Sequence, residues 1–160
     1  MSPVDEPDAH STGMVWSGAD LVVAREALGL SKAALAAALH NPTTDGPWRE
    51  SRISEAEAGK RPVPDWLPVQ VARLEQVRDD LVDQMVGVLG DDPSLVLIVH
   101  EQNRTFWAEH PELRGVPAAV QRIAAGLAAS EIEQTAGHRP RVMMWHEPQA
   151  RGTHAIGDVR

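Results

Sequence analysis

Cysteine is absent from this chain of 160 residues, which excludes a disulfide framework and any cysteine-ligated metal site. That absence suits a reducing compartment, and a cytoplasmic protein is expected. No apolar run reaches the ~18 residues that a membrane-spanning helix needs. The N-terminus lacks a basic stretch followed by an apolar one, so no secretory leader is expected either. Motifs that carry chemistry are missing too. There is no Gly-rich phosphate loop, nucleophile elbow or paired-carboxylate motif, so no catalytic set assembles, and a non-enzyme without a cofactor is expected. The 7 histidines show neither His-x-x-x-His nor His-Glu-x-x-His spacing, and no metal site is expected. His100–Glu101 and His146–Glu147 read as solvent-facing residues at strand ends.

What is present is a hydrophobic fraction of 42%, compatible with a packed core in one ordinary domain or two small modules. The formal net charge of -8 argues against an indiscriminate nucleic-acid coat, although net charge bears on solubility rather than on a local site. The charge is unevenly placed. Glu75, Asp79, Asp80, Asp83, Asp91, Asp92 and Glu101 follow one another with only Arg78 among them, whereas Lys32, Arg49, Arg52, Lys60 and Arg61 lie in the first half. An anionic partner is therefore expected to meet the first half.

Periodicity predicts a mainly α chain with a small α+β part. Residues 1–14 and 149–160 are polar and aperiodic and are expected to be disordered tails. A first helix is expected after Ser17 as N-cap, with Leu21, Ala24, Leu28 and Leu30 near helical spacing and Gly29 as its stop. Ser31 caps a second, which turns Ala34, Leu35, Ala38 and Leu39 inward. "NPTTDGP" reads as a loop, and a third helix is expected from about Pro47 to Ala58, ended by Gly59. Pro62, Pro64 and Pro68 punctuate a connection. Beyond it, Ala72, Leu74, Val77, Leu81, Met85 and Val88 predict an amphipathic helix over 69–89. "LVLIVH" (95–100) predicts a strand. A further helix should bury Val120, Ile123, Leu127 and Ile132, and a second strand is expected over 141–146.

Three short helices joined by tight turns form a helix-turn-helix pattern. "REALGLSKAALAAAL" followed by "SRISEAEAGKRPVP" resembles the Cro/CI (XRE) type of helix-turn-helix repressor over residues 17–64. The resemblance implies a DNA-binding domain at 15–68 whose third helix enters the major groove. It implies Ile53 as the buried anchor of that helix, Glu50, Ser51 and Glu55 at base edges, and Arg49 and Arg52 at a guanine or a phosphate. Lys32, Lys60 and Arg61 would hold phosphates, and Arg25 and Glu57 would form a structural ion pair. Taken singly, Lys60 and Arg61 are also compatible with a solvated helix end, and Arg49 and Arg52 with a solvated face. "HNPTTDGPW" departs from the family by lengthening the joint before the third helix, which bears on how that helix meets the groove. Trp48 reads as a staple between loop and helix rather than a DNA contact.

One small helix-turn-helix reads too few base pairs for specificity in a genome, and dimers solve this. Residues 69–148 are expected to form a helix–strand–helix–strand dimerisation unit. Its two apolar strands would pair across a twofold near Phe106, Trp107 and Trp145. "FWAEHPELRGVPAAVQRIAAGL" is faintly similar to DUF1870-like and anti-CRISPR-associated repressors. The expected function is a homodimeric repressor on a double-stranded DNA operator. Two alternatives stand beside it: a DNA-binding antitoxin whose acidic half meets a basic toxin, and a protein-interaction module that has lost DNA binding.

Overall fold

The computed structural model describes residues 15–145; the two tails and His146–Glu147 lie outside the described residues. The chain is mainly helical with a small strand component, and among the described residues no helix is long and apolar enough to cross a membrane. Helix α1 (Gly18–Ala27) starts at a capping box in which the Ser17 side chain accepts from Asp20 N–H and the Asp20 carboxylate accepts from Ser17 N–H. It ends at Gly29, whose φ of 65° is the left-handed conformation that favours glycine. Any side chain there would also collide with Ile123, 2.6 Å from an added Cβ. Ser31 caps helix α2 (Lys32–Ala38), its hydroxyl accepting from Ala34 N–H.

The expected loop is a hairpin. Strands β1 (His40–Asn41) and β2 (Gly46–Pro47) pair antiparallel, with His40 opposite Pro47. Gln70 fastens it from the side: His40 N–H donates to its Oε1 at 2.8 Å, and its Nε2 donates to His40 C=O at 2.6 Å. Extended backbone therefore continues through Arg49, and helix α3 runs Glu50–Glu57 instead of starting at Pro47. Trp48 packs edge-on against Trp66, ring centroids 5.4 Å apart, which is a staple.

Helix α4 (Trp66–Leu89) starts earlier than expected and takes Pro68 into its first turn. A proline is accommodated there because first-turn N–H groups have no intrahelical partner. Its inward row is Leu67, Val71, Leu74, Leu81, Met85 and Leu89, so Ala72 faces solvent, contrary to expectation. Strand β3 (Val96–Val99) leads into helix α5 (Asn103–Glu109), which periodicity missed because it is a single buried residue, Phe106, on a short polar helix. A 3-10 turn (Pro111–Leu113) precedes helix α6 (Ala118–Ala136), and strand β4 (Arg141–Met144) closes the described chain. Leu127 on α6 is 48% exposed, contrary to expectation, and Ala124, Ala125, Ala128 and Ala129 are buried instead. The side of α6 that packs along α4 is built of small residues, which let two backbones approach.

Strands β3 and β4 pair with each other, parallel, Val96 opposite Arg141 through Val99 opposite Met144. The expected ladder across a twofold is thus replaced by one within the chain, because α5 and α6 form the crossover that parallel strands require. Two cores result. One gathers Leu21, Leu28, Leu35, Ile53, Leu67, Val71 and Val120; the other gathers Leu81, Met85, Leu89, Leu97, Ala128 and Ile132. Helices α4 and α6 contribute to both.

Candidate nucleic-acid interface

Helix α3 buries Ile53 and Ala56 and exposes its first turn. The buried side is set by the apolar pair at i and i+3, which places the helix against α1 and α2. Its C-terminal end meets the start of α1 without intervening side chains. A Cβ on Gly18 would lie 2.4 Å from Ala56 C=O and 2.7 Å from Glu57 C=O, so only glycine fits.

Glu57 organises the cations behind this helix. Arg25 Nε donates to Glu57 Oε1 at 2.6 Å and Arg25 Nη1 to Leu30 C=O at 2.9 Å. Lys32 Nζ lies 3.3 Å from Glu57 Oε2. The Arg25 and Glu57 side chains are only 12% and 6% exposed. Burial alone would raise the Glu57 carboxyl, but the hydrogen bonds and charges of Arg25 and Lys32 outweigh it and hold the group below its usual range. Lys32 is thereby placed in the same cluster as the Arg25–Glu57 pair.

On the outer face Glu55 plays a similar part. Its Oε2 accepts from Arg52 Nη1 at 3.1 Å and from Arg61 Nε at 2.9 Å. These side chains are about two-fifths exposed. Arg49, Glu50 and Ser51 are exposed at the first turn, and Lys60 is exposed beyond the last. Among the described residues neither Arg49 nor Lys60 has a carboxylate within salt-bridge distance. Arg49 stands at the N-cap with no side-chain capping bond.

The structure therefore brings Arg49, Glu50, Ser51, Arg52, Glu55, Lys60 and Arg61 to α3 and its two ends. It sets Lys32 beside Glu57. The hairpin stands just before α3 and carries Asp45 at its exposed tip, with His40 Nε2 3.1 Å from Asp45 Oδ1. No protein-family model matches the chain, and no curated protein matches it.

Two features were missed by sequence reasoning. Gly18 was legible only as a residue after a cap, because its role depends on a distant helix end. Gln70 was one polar residue on an amphipathic helix.

A second polar cluster lies far along the sequence. His100 is 3% exposed, which corrects the expectation of a solvent-facing residue. Its ring is enclosed by Phe106, His110 and Trp145, with centroids 5.8 to 5.9 Å away. Its backbone N–H donates to Gln121 Oε1 at 2.9 Å, which fixes that atom as oxygen. The ring Nδ1, 3.1 Å from the same oxygen, must then carry the hydrogen. Nε2 is left buried with no hydrogen-bond partner among the described residues. Burial, aided by His110, outweighs the Gln121 hydrogen bond and Glu109 and pushes the imidazole below its usual range, so it is held neutral. Among the described residues no three His, Asp or Glu side chains converge as metal ligands would.

Proposed function

We propose that this chain is a sequence-specific double-stranded DNA-binding regulator of transcription, a cytoplasmic homodimeric repressor that occupies an inverted-repeat operator. It needs neither catalysis nor a cofactor for this. The observation that carries the reading is the division of α3. Ile53 and Ala56 are buried, while Arg49, Glu50 and Ser51 stand exposed on its first turn with Lys60 and Arg61 beyond its last. In helix-turn-helix docking that first turn reaches base edges and the flanking cations meet phosphates. Arg49 would take a guanine bidentately or a phosphate, Ser51 would donate or accept, and Glu50 would accept from cytosine N4.

The Glu55 ion pairs do not oppose this. An exposed pair contributes about 0–1 kcal/mol, so a phosphate that takes Arg52 or Arg61 from Glu55 displaces little. Lys32 is different, because it helps neutralise a buried carboxylate, and it contributes to the phosphate field from that position.

A second reading is favoured by the same carboxylates. With Glu55 against Arg52 and Arg61, and Glu50 on the exposed turn, this face suits a partner protein as well as an anion. Selection from random duplexes by the full chain separates the two. Enrichment of an inverted repeat supports the repressor; an unenriched pool transfers the face to protein recognition.

A further inference from the structure

A cavity of about 170 Å³ opens between α4, β3 and the turn after α5, away from the basic helix. Its apolar wall is Leu81, Met85 and Leu89 from α4 with Leu97 and Ile98 from β3. Its polar lining is Gln84, also on α4, with His110, Glu112 and Gln121. A dry cavity of about 150 Å³ holds benzene, so this one has room for a single ring with a small substituent.

Gln121 decides what the substituent is. It lines the cavity and is only 3% exposed. Its Oε1 is occupied by the His100 backbone N–H and ring Nδ1. The backbone donor forbids the flipped amide, which leaves the NH₂ as the free end. Among the described residues that NH₂ has no hydrogen-bond partner. A ligand that fills the cavity displaces water from that donor, so a ligand that supplies an acceptor is bound in preference to one that does not. At the mouth, Glu112 lies 3.4 Å from His110 Nδ1, and an adjoining hollow carries Asp80. Those carboxylates oppose an anionic acceptor.

We propose that this cavity binds a small uncharged carbonyl compound of single-ring size, an amide or a ketone, whose oxygen accepts from the Gln121 amide. The apolar ring lies against α4 and β3, and the carbonyl points to Gln121. This site is independent of DNA reading, since it rests on the second core alone.

Benzamide, toluene and benzoate test it on the full chain by ¹H–¹⁵N NMR titration. Benzamide should shift the amides of 81–89 and 97–98 saturably, with toluene about tenfold weaker for want of one hydrogen bond and benzoate weaker still. Gln121→Glu keeps the oxygen that His100 needs and replaces the NH₂; it should weaken benzamide about tenfold and leave toluene unchanged. Val88→Phe, at the cavity wall, should abolish binding of both while the rest of the spectrum is retained, and it serves if Gln121→Glu fails to fold. Equal affinity for toluene and benzamide, tighter binding of benzoate, no saturable shift with any probe, or undiminished binding by Val88→Phe would each overturn the proposal.

Discussion

Glu57 receives two cations at a site nearly closed to water, and that sets how single substitutions behave. Replacing Arg25 by Met leaves a buried carboxylate with only Lys32, and chemical denaturation should show a loss of about 3–5 kcal/mol. The pH dependence follows from the depressed carboxyl. Its ordinary value is 4.5, and its folded value is lower. As pH falls below 4.5, the unfolded chain takes up the proton before the folded chain does, so Glu57's contribution is full above that pH and is lost as pH drops through the folded value. Urea titrations of parent and Glu57→Gln should therefore converge as the solution is acidified below 4.5. A constant gap between them would remove Glu57 from the account. Ile53→Ala, a deletion in the core, should cost about 2–5 kcal/mol.

Between elements, the start of α1 lies close against the end of α3. Alanine in place of glycine in a helix is ordinarily stabilising by about 1 kcal/mol. At Gly18 the added Cβ would be 2.4 Å from a carbonyl oxygen, and Gly18→Ala should instead lower stability by about 1–3 kcal/mol. Thermal denaturation gives the sign directly. Five of the six helices, and the Ser17 and Ser31 caps, were legible in the sequence because Ser17, Ser31, Gly29 and Gly59 act locally and the apolar spacing is regular. The hairpin was not, since two strands of two residues carry no alternation to read and Gln70, which fastens them, is distant in sequence. Leu127 was misplaced because leucine was given the inward face over alanine, whereas the close packing of α4 on α6 favours Ala124, Ala125 and Ala128. The parallel pairing of β3 with β4 depends on a crossover whose first helix, α5, has no long periodic pattern. Of the interface, the sequence showed which residues gather on α3; it could not show that Glu55 holds Arg52 and Arg61.

At the scale of the molecule, the acidic chain presents Arg49 and Lys60, exposed and with no carboxylate partner among the described residues, at the two ends of one helix. DNA affinity should therefore fall steeply with salt, with a log–log slope of about -0.9 for each phosphate neutralised. Lys60→Ala should weaken specific and random duplexes alike and make that slope shallower; identical slopes for mutant and parent would exclude Lys60 from the phosphate contacts. The strands that would have joined two copies are paired within one, so a dimer must use an outer strand edge or the helical surface, and light scattering of the full chain at micromolar concentration should find it. The central claim is that the first turn of α3 reads base edges. Its most direct test is a fluorescence titration of the parent and Arg49→Ala against the duplex enriched by selection and against its scrambled sequence. The account predicts that the mutant loses about 1–3 kcal/mol on the enriched duplex and far less on the scrambled one, narrowing the gap between them. An equal loss on both duplexes, or none on either, would contradict it.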